Sequence, residues 1–154
     1  MRRFIVALIS LSRSDNLAIY LNFVVWYNLI KGGVFMANSI MLDKAKALAI
    51  SIVKICRSIK ETKKESVLTN QLLRAGTSIG ANIHESKYAQ SSADFVSKMQ
   101  IALKECYETE YWLELLFETG YMIDTEYKPI QNECGAIRRM LISSINTTKA
   151  NLEQ

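Results

Sequence analysis

From Leu42 onward the apolar residues recur three and four positions apart, and the whole 154-residue chain holds a single proline, Pro129. That combination constrains the fold more than any other feature. A repeat of this period gathers apolar side chains on one face of an α-helix, whereas a half-buried strand needs strict alternation. Six glycines and one proline also leave too few breakers for the many tight turns of a β-sandwich.

Four apolar stripes can be traced. The first is Leu48, Ile52, Ile55, Cys56 and Ile59, followed by a charged link from Lys60 to Glu65. The second is Leu68, Leu72, Ala75, Ile79 and Ile83. Ser91 with Asp94 resembles a capping box, and it opens a third stripe of Phe95, Met99, Ala102, Leu103, Cys106, Leu113 and Leu116. Gly120 supplies a C-cap free to take positive φ. Asp124 is expected to cap the fourth stripe, Tyr127, Ile130, Cys134, Ile137, Leu141 and Ile145, with Pro129 bending or delaying its first regular turn. The spacing predicts helices over 42–62, 66–88, 92–119 and 125–151. Short links between such helices make an all-α, up-down-up-down four-helix bundle, the least costly way to bury four stripes.

Residues 1–35 read differently. They carry Arg2, Arg3, Arg13 and Lys31 against Asp15, so +3 of the formal net charge of +4 resides there. Arg2 and Arg3 before an apolar run suggest a signal peptide, but a charged Ser12–Asp15 turn follows in place of a small-residue cleavage site. Leu17–Ile30 holds fourteen residues with Asn22 and Asn28 among them, short of the ~20 apolar residues a spanning helix needs. Lys31-Gly32-Gly33 can be encoded by a purine-rich stretch of ribosome-binding type, and Val34 and Phe35 then space it from Met36. The expectation is a translated leader over 1–35, or else a weak apolar anchor, with the bundle over 36–154 in the cytoplasm.

The chemistry of bundles narrows the function. A carboxylate-bridged di-iron site needs Glu-x-x-His on two helices, but the chain has one histidine, His84, and no such motif. Cys56, Cys106 and Cys134 fall on three different helices beside apolar stripes, without a C-x-x-C neighbour, and read as small buried hydrophobes. Gly76 and Gly80 lack the Gly-Lys-Ser/Thr continuation of a phosphate loop. Each costs about 1 kcal/mol relative to alanine in a helix interior, so tight packing of a neighbouring helix or approach by a partner is the expected offset. No catalytic residue, cofactor or metal is therefore expected. The alternatives are a bundle enzyme or metal-binding protein with a site between subunits, and a purely structural oligomer.

One helix carries more polarity than packing requires. Within Gln71–Glu85, the residues Gln71, Arg74, Ser78, Asn82 and Glu85 form a polar stripe beside Gly76 and Gly80. This run resembles the signature helix of the four-helix-bundle family named for proteins encoded in 23S rRNA intervening sequences, Q-L-x-R-A-x-x-S-I-x-x-N-I-x-E. Asp94–Met99, Ile101–Glu105 and Glu108–Leu113 are similar to that family's third helix. The resemblance runs from about Leu42 to the C-terminus. It implies a small bacterial bundle that assembles as a ring-like homo-oligomer, a pentamer in the related accessory variability proteins of diversity-generating retroelements. Those relatives bind a reverse transcriptase and nucleic acid, which implies RNA or a nucleic-acid-associated protein as a partner.

Charge is segregated along the bundle. Lys44, Lys46, Lys54, Arg57, Lys60, Lys63 and Lys64 stand against Asp43 and Glu61 in the first helix and its link, a balance of +5. From Asp94 to Glu118 six acidic residues face Lys98 and Lys104, a balance of −4. Three readings stay open: two solvated faces neutralising each other, electrostatic complementarity between subunits, and a first helix that tracks phosphates. Tyr107, Tyr111, Trp112 and Phe117 exceed the width of one core stripe, and Tyr111 and Trp112 are expected at a subunit contact. Arg74, set among apolar positions, is expected to form a buried pair with Glu108 or Glu110.

Overall fold

The structure, a computed structural model, describes residues 39–152. The expectations for residues 1–35 lie outside the described residues. Helix α1 runs from the first described residue, 39, to 63, and α2 spans Val67–Ser86. Helix α3 spans Ser92–Glu118 and α4 spans Asp124–Leu152. The region from Ser39 onward forms one compact unit.

The stripes read from the sequence form the core. Leu48, Ile52 and Ile59 of α1 meet Leu72, Ile79 and Ile83 of α2, Met99, Leu113 and Leu116 of α3, and Ile137 and Leu141 of α4. Each such side chain, fully removed from water, contributes about 1.5–3 kcal/mol. Leu68, Phe95 and Leu103 are half-buried at the edges instead. The core also takes in Thr69, Ser86 and Thr109, because each hydroxyl bonds a carbonyl three or four residues back in its own chain: Glu65, Ile83 and Glu105 respectively. A polar residue satisfied this way carries little burial penalty.

Successive helices are antiparallel neighbours. The Cys56 thiol donates to the Thr69 carbonyl at 3.4 Å, and Lys60 Nζ reaches Asn70 Oδ1 at 2.6 Å, across α1 and α2. On its other side α1 meets α4, and Lys63 Nζ donates to the Gly120 carbonyl at 2.7 Å beyond the far end of α3. With α2 and α4 both packed on α3, α1 and α3 sit at diagonally opposite corners and run in the same direction. The glycines serve close approach. A Cβ on Gly76 would overlap Ile52 Cδ1 and lie 3.3 Å from Cγ2, and one on Gly80 would lie 3.8 Å from Ala45 Cβ.

Helix ends show chemistry that periodicity does not carry. Glu65, one residue ahead of the Ser66 cap position, accepts the N–H groups of Leu68 and Thr69 at 2.8 and 3.0 Å and so caps α2. Burial opposes ionisation of Glu65, but those two backbone donors outweigh it and hold the carboxyl below the usual glutamate range. Lys64, with φ +57, turns the chain between α1 and α2 in the left-handed region without being glycine. The Ser91 hydroxyl accepts from Asp94 N–H at 3.1 Å, as expected of a cap. At the end of α3, Gly120 has φ +78, its N–H bonds the Phe117 carbonyl, and Tyr121 N–H bonds the Leu116 carbonyl at 2.8 Å. This is a Schellman motif.

The start of α4 corrects the sequence reading. Asp124 is the first helical residue, not the cap, and pairs with Lys128 one turn on. The returning side chain is that of Glu126, which accepts from Ile123 N–H at 3.1 Å. Pro129 does not delay the helix. It lies inside α4 with its ring exposed, and the helix is already formed ahead of it.

Candidate functional site

The polar stripe of α2 is a seam against α3. Arg74 is paired with Glu108, and Lys98 Nζ meets Glu85 Oε2 at 2.6 Å, so the two ion pairs pin opposite ends of the antiparallel contact. Trp112 Nε1 donates to Glu108 at 3.3 Å, and Asn82 Nδ2 donates to the Ser78 carbonyl at 2.9 Å. Gln71 and Ser78 are half-buried along the same seam. The Arg74 partner is thus Glu108, as one of the two expected, but the pair is not buried. Arg74 is 60% exposed because its long side chain reaches over the rim of the helix contact, while Glu108 is 25% exposed.

Glu105 stands one turn before Glu108 on α3 and is half-buried, with its Oε2 buried and without a hydrogen-bond partner among the described residues. Burial and the neighbouring Glu108 charge raise its pKa, against the pull of Arg74 and Lys104. On the other flank of α3, Glu110 accepts from Arg138 Nε at 3.0 Å, and the Arg138 guanidinium lies 5.5 Å from the centre of the Tyr107 ring. Below this pair Cys106 and Cys134 face each other, the Cys134 thiol 3.6 Å from the Cys106 carbonyl. Contact with Cys134 and then burial raise the Cys106 thiol, while burial moves Cys56 up to about 11 despite Lys60. All three cysteines are free and buried, and the suppressed thiols of Cys56 and Cys106 behave as core atoms. Among the described residues no group of three His, Cys, Asp or Glu side chains converges as a metal site would require. His84 is exposed beside Tyr88.

The basic residues of α1 do not share one face. Lys44 lies on the α4 side, Lys60 bonds Asn70 on the α2 side, and Lys63 bonds the Gly120 carbonyl. Lys46, Ile50, Lys54 and Arg57, spaced four, four and three apart, are exposed along the outward line, and Lys64 lies in the link beyond the end of α1. The outward line of α3 holds Tyr107 and Tyr111, 51% and 56% exposed, and Tyr111 packs edge-on against Trp112 with ring centres 4.9 Å apart. Trp112 itself is half-buried. Between α1 and α4 an open trough of about 300 Å³ is lined by Lys44, Ala47, Asn132, Glu133, Ala136 and Ile137.

Sequence reasoning missed Glu65, Lys98, Arg138 and the trough. Lys98 was legible in principle: folding an antiparallel hairpin about the Ser91 turn brings it level with Glu85. Arg138 and the trough depend on how α4 packs, which no local spacing reveals.

A sequence model described as 23S rRNA-intervening sequence protein matches residues 37–143. The chain belongs to that family. The crystal structure of a protein of unknown function from the S23 ribosomal protein family of Bacteroides thetaiotaomicron superposes with a TM-score of 0.70 at 46% identity. The match covers 71% of this chain and 98% of that one. No curated protein matches the chain. The family's signature helix is therefore the α2 seam, and its Arg74 and Glu85 here hold α2 to α3. Among the described residues no helix is long and apolar enough to cross a membrane.

Proposed function

We propose that the chain is a non-enzymatic accessory or adaptor bundle that self-associates head to tail into a ring-like homo-oligomer and presents a basic edge to RNA or to a nucleic-acid-bound partner. One observation carries the reading: the basic and acidic helices occupy diagonal corners. Their outward faces point in opposite directions, so α1 cannot neutralise α3 within one bundle. The ion pairs that do form on α3 reach α2 and α4, as Arg74–Glu108, Glu85–Lys98 and Arg138–Glu110. A heterologous contact between copies brings opposite charges together, and rotation closes it into a ring. The exposed Tyr111, packed edge-on against Trp112, gives that contact its aromatic anchor.

The RNA reading rests on the outward line of Lys46, Lys54 and Arg57, continued by Lys64 in the link, and on the family's description by 23S rRNA. Sedimentation across a micromolar concentration series tests the first part: the wild type associates, and Trp112→Ala shifts it toward the monomer with its fold intact. An unchanged profile for Trp112→Ala removes the anchor. Salt-titrated binding to single-stranded RNA tests the second. Three to four neutralised phosphates predict a slope of log K on log salt of about −2 to −3. Binding that ignores salt, or no binding, refutes the phosphate contact and leaves a self-associating bundle with a protein partner.

A further inference from the structure

The flanks of α1 and α3 match residue for residue. Lys44 and Ala47 line the trough, and Ile40 and Ser51 lie on the same line of α1, giving Ile40, Lys44, Ala47, Ser51 at intervals of four, three and four. The flank of α3 turned toward α2 carries Ile101, Glu105, Glu108 and Trp112 at the same intervals. Ile40 and Ile101 are exposed apolar residues, 51% and 41%. Lys44 is exposed and Glu105 half-buried, and neither has an ion-pair partner among the described residues. Ala47 and Ser51 are small where Glu108 and Trp112 are large.

Height and direction agree as well. The trough includes Asn132 and Glu133 beside Cys134, and Cys134 sits against Cys106, the neighbour of Glu105. Lys44 and Glu105 therefore lie at about the same level on opposite sides of the bundle. Copies related by rotation about an axis along the bundle keep their helices in a common direction, so α1 of one copy and α3 of the next run parallel, as the matched order requires. Two stripes of this period pack as ridges into grooves.

We propose that α3 of one copy seats in the α1–α4 trough of the next, with Lys44 of one copy closing on Glu105 of the other. This rests on the self-association reading and names its contact. Ile40 meets Ile101, and Ala47 leaves room for the Arg74–Glu108 pair. Ser51 lies opposite the Trp112 ring. Glu133 on the far wall of the trough faces the exposed Arg74, so the two charges of the trough meet two of opposite sign.

Charge exchange tests the contact. Lys44→Glu and Glu105→Lys are each expected to weaken association by at least about tenfold in sedimentation, and the double exchange to restore it. Circular dichroism melts report whether each variant folds. Ala47→Arg, at an exposed position, blocks the trough without touching the core and is expected to weaken association likewise. A wild type that stays monomeric throughout the series overturns self-association and this contact together. A wild type that associates, with folded single exchanges and Ala47→Arg that associate equally well, overturns this contact alone. So does a folded double exchange that fails to recover.

Discussion

Gly76→Ala and Gly80→Ala are the same change one helical turn apart, and the structure predicts opposite outcomes. In an isolated helix each replacement gains about 1 kcal/mol of propensity. At Gly80 the added methyl lies 3.8 Å from Ala45 Cβ and 3.9 Å from the Ala45 carbonyl carbon and oxygen, ordinary contact distances. Most of the gain therefore survives, and Gly80→Ala is expected to stabilise by up to about 1 kcal/mol. At Gly76 the methyl overlaps Ile52 Cδ1 and crowds Cγ2, and Ile52 has no accessible surface into which to move. Overpacking of a closed core costs about 1–3 kcal/mol, which cancels or exceeds the propensity gain. Gly76→Ala is expected to fall below the wild type and well below Gly80→Ala.

Ile52→Val isolates the cause, because it removes Cδ1 and little else. Alone it costs about 0.5–1.5 kcal/mol. Combined with Gly76→Ala it removes the overlap, so the double variant should be more stable than the sum of the singles by about 1 kcal/mol or more, a coupling expected only of residues in contact. Urea unfolding followed by circular dichroism measures all four states, with unchanged m values confirming a common native surface. If Gly76→Ala proves as stable as Gly80→Ala, or if the two substitutions are additive, the close approach of α1 to α2 is not what holds glycine at position 76.

Three further outcomes follow from named groups. Glu65→Ala should lose about 0.5–2 kcal/mol, the worth of a helix cap. Because the Glu65 pKa is lowered by folding, its contribution is present above the unfolded glutamate pKa and lost as pH falls through the folded value, so variant and wild-type stabilities should converge in acid. Glu105→Gln should do the reverse in the dissociated chain: folding raises the Glu105 pKa, so the wild type loses stability as pH rises through that value. The variant should gain up to about 1 kcal/mol at neutral pH and nothing in acid, and a pH-independent difference refutes the orphaned carboxylate. Arg74→Ala should cost under about 1 kcal/mol in the same melts, since 60% exposure leaves the pair screened, and a loss above about 3 kcal/mol would show that Glu108 is buried after all.

Periodicity revealed what water exclusion decides. The stripes of α1 and α4 were legible because one apolar face of a helix has one place to go. The Schellman turn at Gly120 was legible because only a residue free at positive φ closes that geometry cheaply. Lys64 hid the matching turn between α1 and α2, since lysine in the left-handed region advertises nothing. Thr69 and Thr109 hid in the core by bonding their own backbone. Arg74 narrowed its partner to Glu108 or Glu110 but did not show its exposure, because spacing tells which side a residue occupies and not how far a long side chain reaches. The seven basic residues are contiguous in the sequence, but helical rotation scatters six of them over three sides of α1 and leaves Lys64 in the link. The candidate contact was half legible: both charged segments were visible, while their diagonal placement needed all four helices.

That placement ties the signature helix to the trough. Gly76 and Gly80 let α1 approach α2, to the point where Ile52 takes the space of a Gly76 Cβ and Ala45 lies within contact distance of one on Gly80. On the opposite flank of α1, Ala47 and Ala136 are too short to fill the space that remains against α4, and about 300 Å³ stays open. The asymmetry is one arrangement seen from two sides, since small residues close a helix pair only where the backbones themselves meet and leave a groove where they do not. The α2 stripe does a related service for α3. Arg74 fixes Glu108, and Glu108 holds Trp112 by its indole N–H, so the edge that carries Glu105 and Trp112 is set before any second copy arrives. Ordering an interface in advance lowers what association must spend on immobilising side chains. Polar residues of the signature helix can thus govern assembly without lying in the contact, and loss of Arg74 should weaken association more than it weakens the fold.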